Sequence, residues 1–222
     1  QNVLLAVRDH CKTARLLVVG SAEEYGVSIS DDEIPVTEQH PFRPINPYAV
    51  SKVAQDMLAY SYCVSYGLDI VTVRPFNHIG ERQSTDFAIP AFTKQIVAIE
   101  KGEQSELKVG SLDTIRDFTD VKDMVHAYIV VMNQGVSGEA YNIGSGVGIQ
   151  MKEILEKLFE FISGSDVYLA ERSLNAMHPD RINSEVQQKL SEIFKSAGFI
   201  QQRMIIRKLS DLPVLDNKTV ME

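Results

Sequence analysis

The sequence predicts an α/β fold, on three observations. Residues 15–21 and 69–74 are short, β-rich apolar runs without polar alternation, the pattern of strands covered on both faces in a parallel sheet. Between them, residues 47–66 open with Asn46-Pro47 and close at Gly67, the start and stop signals of a helix. Beyond them, apolar residues recur at helical spacing in segments separated by further short strand-like runs. At 222 residues and 44% hydrophobic content, the chain can bury a core as one domain or as two small ones.

In chain order, residues 2–12 read as the tail of a helix, with Val3, Leu4 and Val7 on one side. Residues 15–21 form the first strand. Residues 22–46 are a long polar loop with prolines at 35, 41 and 44, and a loop of that length is expected beside a binding site. The helix over 47–66 has Asn46 as its cap, Pro47 at its first position and Gly67 as a left-handed stop. Residues 69–74 form the next strand, closed by Pro75. Ile89, Phe92, Ile96 and Ile99 predict a helix over 87–101 that stops at Gly102, followed by a short strand at 106–109. A helix over 121–132, capped by Asp120, precedes a strand at 139–143. Met151, Ile154, Leu155, Leu158 and Ile162 share one face of a helix over 150–162. A strand at 166–170 and a helix over 184–197 complete the pattern.

Composition narrows the function. A net charge of −8 argues against a nucleic-acid partner or an anionic membrane surface. Cys11 and Cys63 are isolated thiols with no disulfide or metal spacing, which suits a reducing cytoplasm. No His/Cys/Asp cluster has ligand spacing, so no metal is expected. No apolar run approaches the roughly 20 residues of a membrane span, and no signal peptide opens the chain. It reads as a soluble, cytoplasmic globular protein.

The stretch that bears chemistry is Asn46-Pro47-Tyr48-Ala49-Val50-Ser51-Lys52. Tyr48 and Lys52, four apart, share a helix face, which sets an ammonium beside a phenol. A phenol of pKa about 10 must fall by about 3 pH units to exchange protons near neutrality, worth about 4 kcal/mol. One cation at about 4 Å in an effective dielectric of about 20 supplies that much. The bare spacing also arises by chance, so the flanking motifs decide.

Those motifs are Arg15-Leu-Leu-Val-Val-Gly-Ser21 with Ala22-Glu23-Glu24-Tyr25-Gly26 upstream, and Arg74-Pro75-Phe76-Asn77-His78-Ile79-Gly80 downstream. A strand ending in Ser, a long loop, a Tyr-x-x-x-Lys helix and a strand ending in Arg-Pro-x-Asn: this order resembles the extended short-chain dehydrogenase/reductase family, the NAD-dependent epimerases and dehydratases. Phe76-Asn77-His78-Ile79-Gly80 and Arg116-Asp117-Phe118-Thr119-Asp120-Val121 resemble the GDP-4-keto-6-deoxymannose reductases within it, with the GDP-mannose 4,6-dehydratases beside them. The resemblance runs from about residue 15 to about residue 164, and residues 209–218 resemble a late segment of the substrate domain. It implies that residues 1–76 are the C-terminal part of a Rossmann-like, doubly wound parallel sheet. A smaller α/β substrate domain over 77–222 is interleaved with it, and residues 117–134 return to the sheet.

The resemblance also implies site residues. Tyr48 is the proton donor or acceptor, Lys52 assists it and binds the nicotinamide ribose, and Ser21 hydrogen-bonds the substrate oxygen. Glu23 stands where dehydratases keep a glutamate for the proton next to a transient ketone, although a solvated turn carboxylate explains it equally well. Gly20, Pro75 and Phe76 lie near the cofactor, NADP or NAD. Asn77 reaches the GDP-sugar substrate and Arg116 clamps its diphosphate, a task that suits a bidentate guanidinium. His78 supports its loop. Gly144-Ser-Gly146-Val-Gly148 imitates a dinucleotide fingerprint with Asp166 about 20 residues on, but Ile149 stands where the third glycine is required. Tyr141-Asn142-Ile143-Gly144-Ser145-Gly146 instead resembles a strand and turn of the substrate domain, which assigns Asn142 to the sugar nucleotide.

Family members carry a Gly-rich turn for the cofactor pyrophosphate upstream of the first strand seen here. Nothing before Arg15 has that pattern, so the expectation is the C-terminal part of an enzyme, or a paralogue without its own cofactor site. Three functions stay open: a GDP-4-keto-6-deoxymannose reductase (an oxidoreductase), a GDP-mannose 4,6-dehydratase (a lyase), or a non-catalytic sugar-nucleotide-binding or assembly protein. A homodimer through helices that include the Tyr-x-x-x-Lys one is the expected assembly.

Overall fold

The computed structural model describes residues 1–27 and 33–164. In chain order its elements are α1 (Asn2–His10), β1 (Leu16–Val19), a 3-10 turn (Ala22–Tyr25), α2 (Pro47–Tyr66), β2 (Ile70–Pro75), β3 (Asn77–Ile79), α3 (Ala88–Glu100), β4 (Ile115–Asp120), α4 (Val121–Gln134), β5 (Ala140–Ile143), β6 (Gly148–Gln150) and α5 (Met151–Gly164). They divide into two compact units. The first is Gln1–Phe76 with Met124–Gly144; the second is Asn77–Asp123 with the segment from Ser145.

The first unit is built on a parallel sheet in the order β1-β2-β5, with Leu16 opposite Ile70 and Thr72 opposite Ala140. Successive residues of β2 point to opposite faces. Val71 and Val73 pack with Met124, Ala127 and Val131 of α4, while Ile70 packs with Leu4 of α1 and with Ala59 and Tyr62 of α2. Helices therefore cover both faces, which explains why β2 is apolar without alternation. All six of its residues are buried. The bounds of α2 follow from local chemistry. The Asn46 side chain accepts from the Ala49 N–H at 2.8 Å, Pro47 needs no donor in the first turn, and Gly67 ends the helix at φ 67°, ψ 30°.

The second unit carries a mixed sheet in the order β3-β4-β6, parallel between β3 and β4 and antiparallel between β4 and β6. Its core joins Ile89, Phe92 and Ile96 of α3 to Met151, Ile154, Leu155 and Leu158 of α5, with Ile79, Phe118 and Ile149 from the sheet. Of the apolar positions read from the sequence, Ile89, Phe92 and Ile96 of α3 and Met151, Ile154, Leu155 and Leu158 of α5 are the ones in this core.

Three expectations need correction or extension. Residues 106–109 form no strand. The Gln95 side chain takes both backbone groups of Lys108, accepting from its N–H at 2.8 Å and donating to its carbonyl at 3.0 Å, so neither is left for a ladder. The strands β3, β4 and β6 were not expected, because polar residues dominate β4 and the other two are three residues long. The strand β5, grouped by resemblance with the substrate domain, pairs with β2 in the first unit. The expected strand at 166–170, the helix over 184–197 and residues 209–218 lie outside the described residues.

Candidate active site

Ser21 follows β1, whose ladder closes when the Gly20 N–H donates to the Val73 carbonyl at 2.8 Å. The chain then turns, and Ser21 caps the 3-10 turn with φ −161° and ψ 144°. Its Oγ accepts from the Glu23 N–H at 3.2 Å, and its own N–H donates to Glu24 Oε1 at 2.7 Å, a reciprocal capping box. The Glu24 carboxylate lies over Gly20, in the space that a Cβ there would take. A side chain at position 20 would meet that carboxylate first and the Val73 carbonyl at 3.2 Å next.

Tyr48 sits in the first turn of α2 and is 54% exposed. Lys52 lies one turn on, with Nζ 5.8 Å from the Tyr48 ring centroid. That ammonium is anchored, since it donates to the Val19 carbonyl at 2.9 Å and reaches Gln55 Oε1 at 3.5 Å, while Gln55 donates to the same carbonyl at 2.9 Å. The end of β1 thus fixes both the turn that carries Ser21 and the cation beside Tyr48. Glu23 is exposed and accepts from Asn46 Nδ2 at 3.1 Å, so the cap of α2 ties that helix to the Ser21 turn. Tyr128 of α4 has its phenol pushed up by burial and, secondarily, by Tyr48.

Behind these residues is a buried charge cluster that sequence reasoning missed. Glu24, Asp56 and Arg74 are 0%, 3% and 5% exposed. Arg74 Nε donates to Asp56 Oδ2 at 2.8 Å and lies 3.6 Å from Glu24 Oε2. Another guanidinium nitrogen donates to the Tyr25 hydroxyl at 2.9 Å and the Glu38 carbonyl at 3.1 Å, and the group faces the rings of Phe42 and Tyr25 at 4.7 and 5.5 Å. Burial pushes the Glu24 carboxyl up to about 7 with Asp56 adding to it, although the Ser21 N–H and Arg74 pull the other way. Burial also raises the Tyr25 phenol, against the pull of Arg74. For Arg74, burial works against the charge, but Asp56 and Tyr25 outweigh it and hold the guanidinium above its ordinary value. The only hint in the sequence is an arginine closing an otherwise apolar strand.

Asn142 belongs to the same network. Its Oδ1 accepts from the Tyr25 hydroxyl at 2.7 Å, its Nδ2 donates to the Val36 carbonyl at 3.1 Å and its backbone N–H donates to Glu38 Oε1 at 2.9 Å. Both ends of its amide are engaged by the protein itself. Pro75 closes β2 opposite Ile143, and the Phe76 N–H donates to the Ile143 carbonyl at 2.8 Å.

In the second unit, Asn77 and His78 are exposed on β3 and Arg116 is exposed on β4, where it donates to the Ile115 carbonyl at 2.9 Å. Asp117, next along the strand, points to the other side. Its carboxylate accepts from the Ser145 N–H at 2.8 Å, the Ser145 hydroxyl at 2.5 Å and the Gly146 N–H at 2.8 Å. The glycine-rich segment after β5 is thus a turn clamped by an aspartate, with Gly146 at φ 75°. Among the described residues no group of three or more His, Cys, Asp or Glu is placed to hold a metal ion, and no helix is long and apolar enough to cross a membrane.

A family model described as GDP-mannose 4,6 dehydratase matches residues 1–198. The chain belongs to that family. It is 35% identical over 158 residues to GDP-6-deoxy-D-mannose reductase of Pseudomonas aeruginosa, a match covering 71% of this chain and 52% of that protein. Over 175 residues it is 34% identical to dTDP-glucose 4,6-dehydratase of Streptomyces griseus, covering 78% of this chain and 51% of the relative. Among solved structures, RMD from Pseudomonas aeruginosa complexed with NADPH superposes with a TM-score of 0.69 at 34% identity, covering 74% of this chain and 56% of that one. The dTDP-glucose 4,6-dehydratase of Bacillus anthracis in complex with NAD gives 0.63 at 28% identity, covering 74% and 50%. The family resemblance and the α/β fold expected from the sequence are both borne out. The chain spans about half the length of the curated relatives it matches.

Proposed function

We propose that the full-length enzyme reduces a 4-keto GDP-sugar, GDP-4-keto-6-deoxymannose, to the corresponding alcohol with NADPH or NADH as cofactor. The observation that carries this reading is the anchored pair on α2: an exposed tyrosine with an ammonium fixed one turn behind it, beside the turn that holds Ser21. The identity to a GDP-6-deoxy-D-mannose reductase supports the substrate class.

The residues present fit the nicotinamide end of a cofactor. An ammonium has three donors, and Val19 and Gln55 engage two of those of Lys52, which leaves one for a ribose hydroxyl. The cofactor would supply a hydride to C4 of the sugar. Tyr48 donates its proton to the carbonyl oxygen as that oxygen becomes an alcohol, and the Ser21 hydroxyl hydrogen-bonds the same oxygen. Lys52 stabilises the phenolate left on Tyr48. In the second unit, Asn77 and Arg116 are the proposed contacts of the sugar and its diphosphate, Arg116 through a bidentate pair. Gly20, Pro75 and Phe76 are read as backbone near the nicotinamide. On this reading residues 1–76 are the nucleotide-binding part and most of the chain from 77 onward is the sugar-nucleotide part.

A dehydratase reading is supported by the family model, described as GDP-mannose 4,6 dehydratase, by the dTDP-glucose 4,6-dehydratase relatives and by one side chain. Glu23 presents an exposed carboxylate beside the N-terminus of α2, where it can take the proton next to a transient ketone. The assay separates the two readings. The full-length enzyme receives GDP-mannose with catalytic NAD(P), and separately the 4-keto-6-deoxy intermediate with NADPH or NADH. Consumption of the intermediate alone is expected. Accumulation of the keto sugar from GDP-mannose, abolished by Glu23→Gln, would overturn the reductase assignment.

The exposed Val50, Met57, Leu58 and Val64 lie along one side of α2 and support a homodimer through that helix. Sedimentation of wild type as a dimer and of Met57→Glu/Leu58→Glu as a monomer is the expected result; an unchanged sedimentation coefficient would exclude this interface. The free thiols Cys11 and Cys63 suit a reducing cytoplasm, and cell fractionation checks that placement.

A further inference from the structure

Glu24 is buried, titratable and absent from the reaction just described. Replacing a buried ionic group by apolar side chains is often neutral or stabilising, so burial of a carboxylate here is not explained by stability. What the carboxylate does is visible in its contacts. The backbone leaves the sheet at Gly20, and the next N–H, that of Ser21, is buried and donates to Glu24 Oε1 at 2.7 Å. The Ser21 Oγ then accepts from the Glu23 N–H, so its own O–H remains to be donated. Glu24 Oε2 faces Arg74 Nε at 3.6 Å. Arg74 is held in turn by Asp56, the Tyr25 hydroxyl and the Glu38 carbonyl.

We propose that Glu24 is a positioning residue for Ser21: its carboxylate, braced by the Arg74–Asp56 pair, fixes the Ser21 backbone so that the hydroxyl points as a donor toward the substrate oxygen. This rests on the catalytic reading of Ser21 given above. Three separated parts of the first unit converge to hold one hydroxyl: the turn after β1, the end of β2 and the middle of α2. Glycine at position 20 admits the carboxylate to its place.

The test is a double-mutant cycle in the full-length enzyme. Glu24→Leu removes the acceptor at similar bulk, whereas Glu24→Gln keeps an oxygen with the same reach. Glu24→Leu is expected to lower kcat about 10- to 100-fold with KM for the sugar nucleotide within about twofold, and Glu24→Gln to restore kcat to within about threefold of wild type. In a Ser21→Ala background, Glu24→Leu should change kcat by less than about threefold, because the hydroxyl it would misplace is already gone. Equal losses in both backgrounds would overturn the positioning role while leaving the catalytic reading intact. Wild-type kcat in Ser21→Ala would sink that catalytic reading, and this inference with it. Should Glu24→Leu not fold, amide exchange decides. Exchange at Ser21 slowed on the order of 100-fold in wild type supports the contact, and exchange at the rate of an unprotected loop overturns it.

Discussion

Each unit of the molecule has a polar hub, and the two hubs are built on opposite principles. In the first unit the hub is a cation, Arg74, 5% exposed, which collects the carboxylates of Asp56 and Glu24, a phenol and two aromatic faces. In the second it is an anion, Asp117, half-buried at the sheet, which collects two backbone N–H groups and one hydroxyl from a single turn. The first hub joins parts of the chain that are remote in sequence; the second clamps one short turn. In both, a charged residue that meets no ligand in the proposed reaction stands behind one that does. Glu24 backs Ser21, and Asp117 shares β4 with Arg116, which faces the other way.

The comparison predicts unequal costs on removal. Arg74→Leu leaves two buried carboxylates without their cation and is expected to destabilise the protein by about 3–5 kcal/mol. Urea unfolding followed by circular dichroism measures it. Asp117→Ala strands donors that lie nearer solvent, and the expected cost is about 1–3 kcal/mol. If Asp117→Ala proved the more damaging, the distinction between a buried hub and a turn clamp would fail.

A subtler effect sharpens the picture of the first hub. The folded protein holds the Glu24 carboxyl near 7, above its ordinary value of 4.5, because burial favours the neutral form. A group whose folded pKa is raised contributes stability that is fully present below its unfolded value and is lost as pH climbs through the folded one. Between about pH 4.5 and 7, then, the wild type should lose stability relative to Glu24→Gln, which keeps the neutral shape at every pH. Paired urea titrations at pH 5 and pH 8 are the check. A difference that did not change between them would mean that Glu24 is ionised throughout.

What the sequence disclosed followed the range of the forces involved. The ends of α2 were legible because Asn46, Pro47 and Gly67 act on the residues beside them. The faces of α3 and α5 were legible because their period is local. The strand β4 was hidden by its polar composition, and the strand expected at 106–109 was cancelled by Gln95, a side chain on a neighbouring helix. At the candidate site the same division holds. Ser21, Tyr48 and Lys52 stand out by local pattern. Glu24, Asp56 and Arg74 become one cluster only when β1, α2 and β2 have assembled, and no spacing along the chain announces it. Asn142 illustrates the converse: a residue in a recognisable motif whose amide the fold has already engaged.

The most direct measurement sets Tyr48→Phe beside Arg116→Ala in steady-state reduction of the 4-keto sugar nucleotide by the full-length enzyme. Tyr48→Phe should lower kcat by roughly 10²–10⁴ while KM for the sugar nucleotide stays within about threefold, the signature of a lost proton donor. Arg116→Ala should raise KM and leave kcat nearly unchanged, as expected for a group that binds the diphosphate in ground state and transition state alike. Wild-type turnover by Tyr48→Phe would contradict the assignment of Tyr48 as the acid, and with it the proposed chemistry of the first unit.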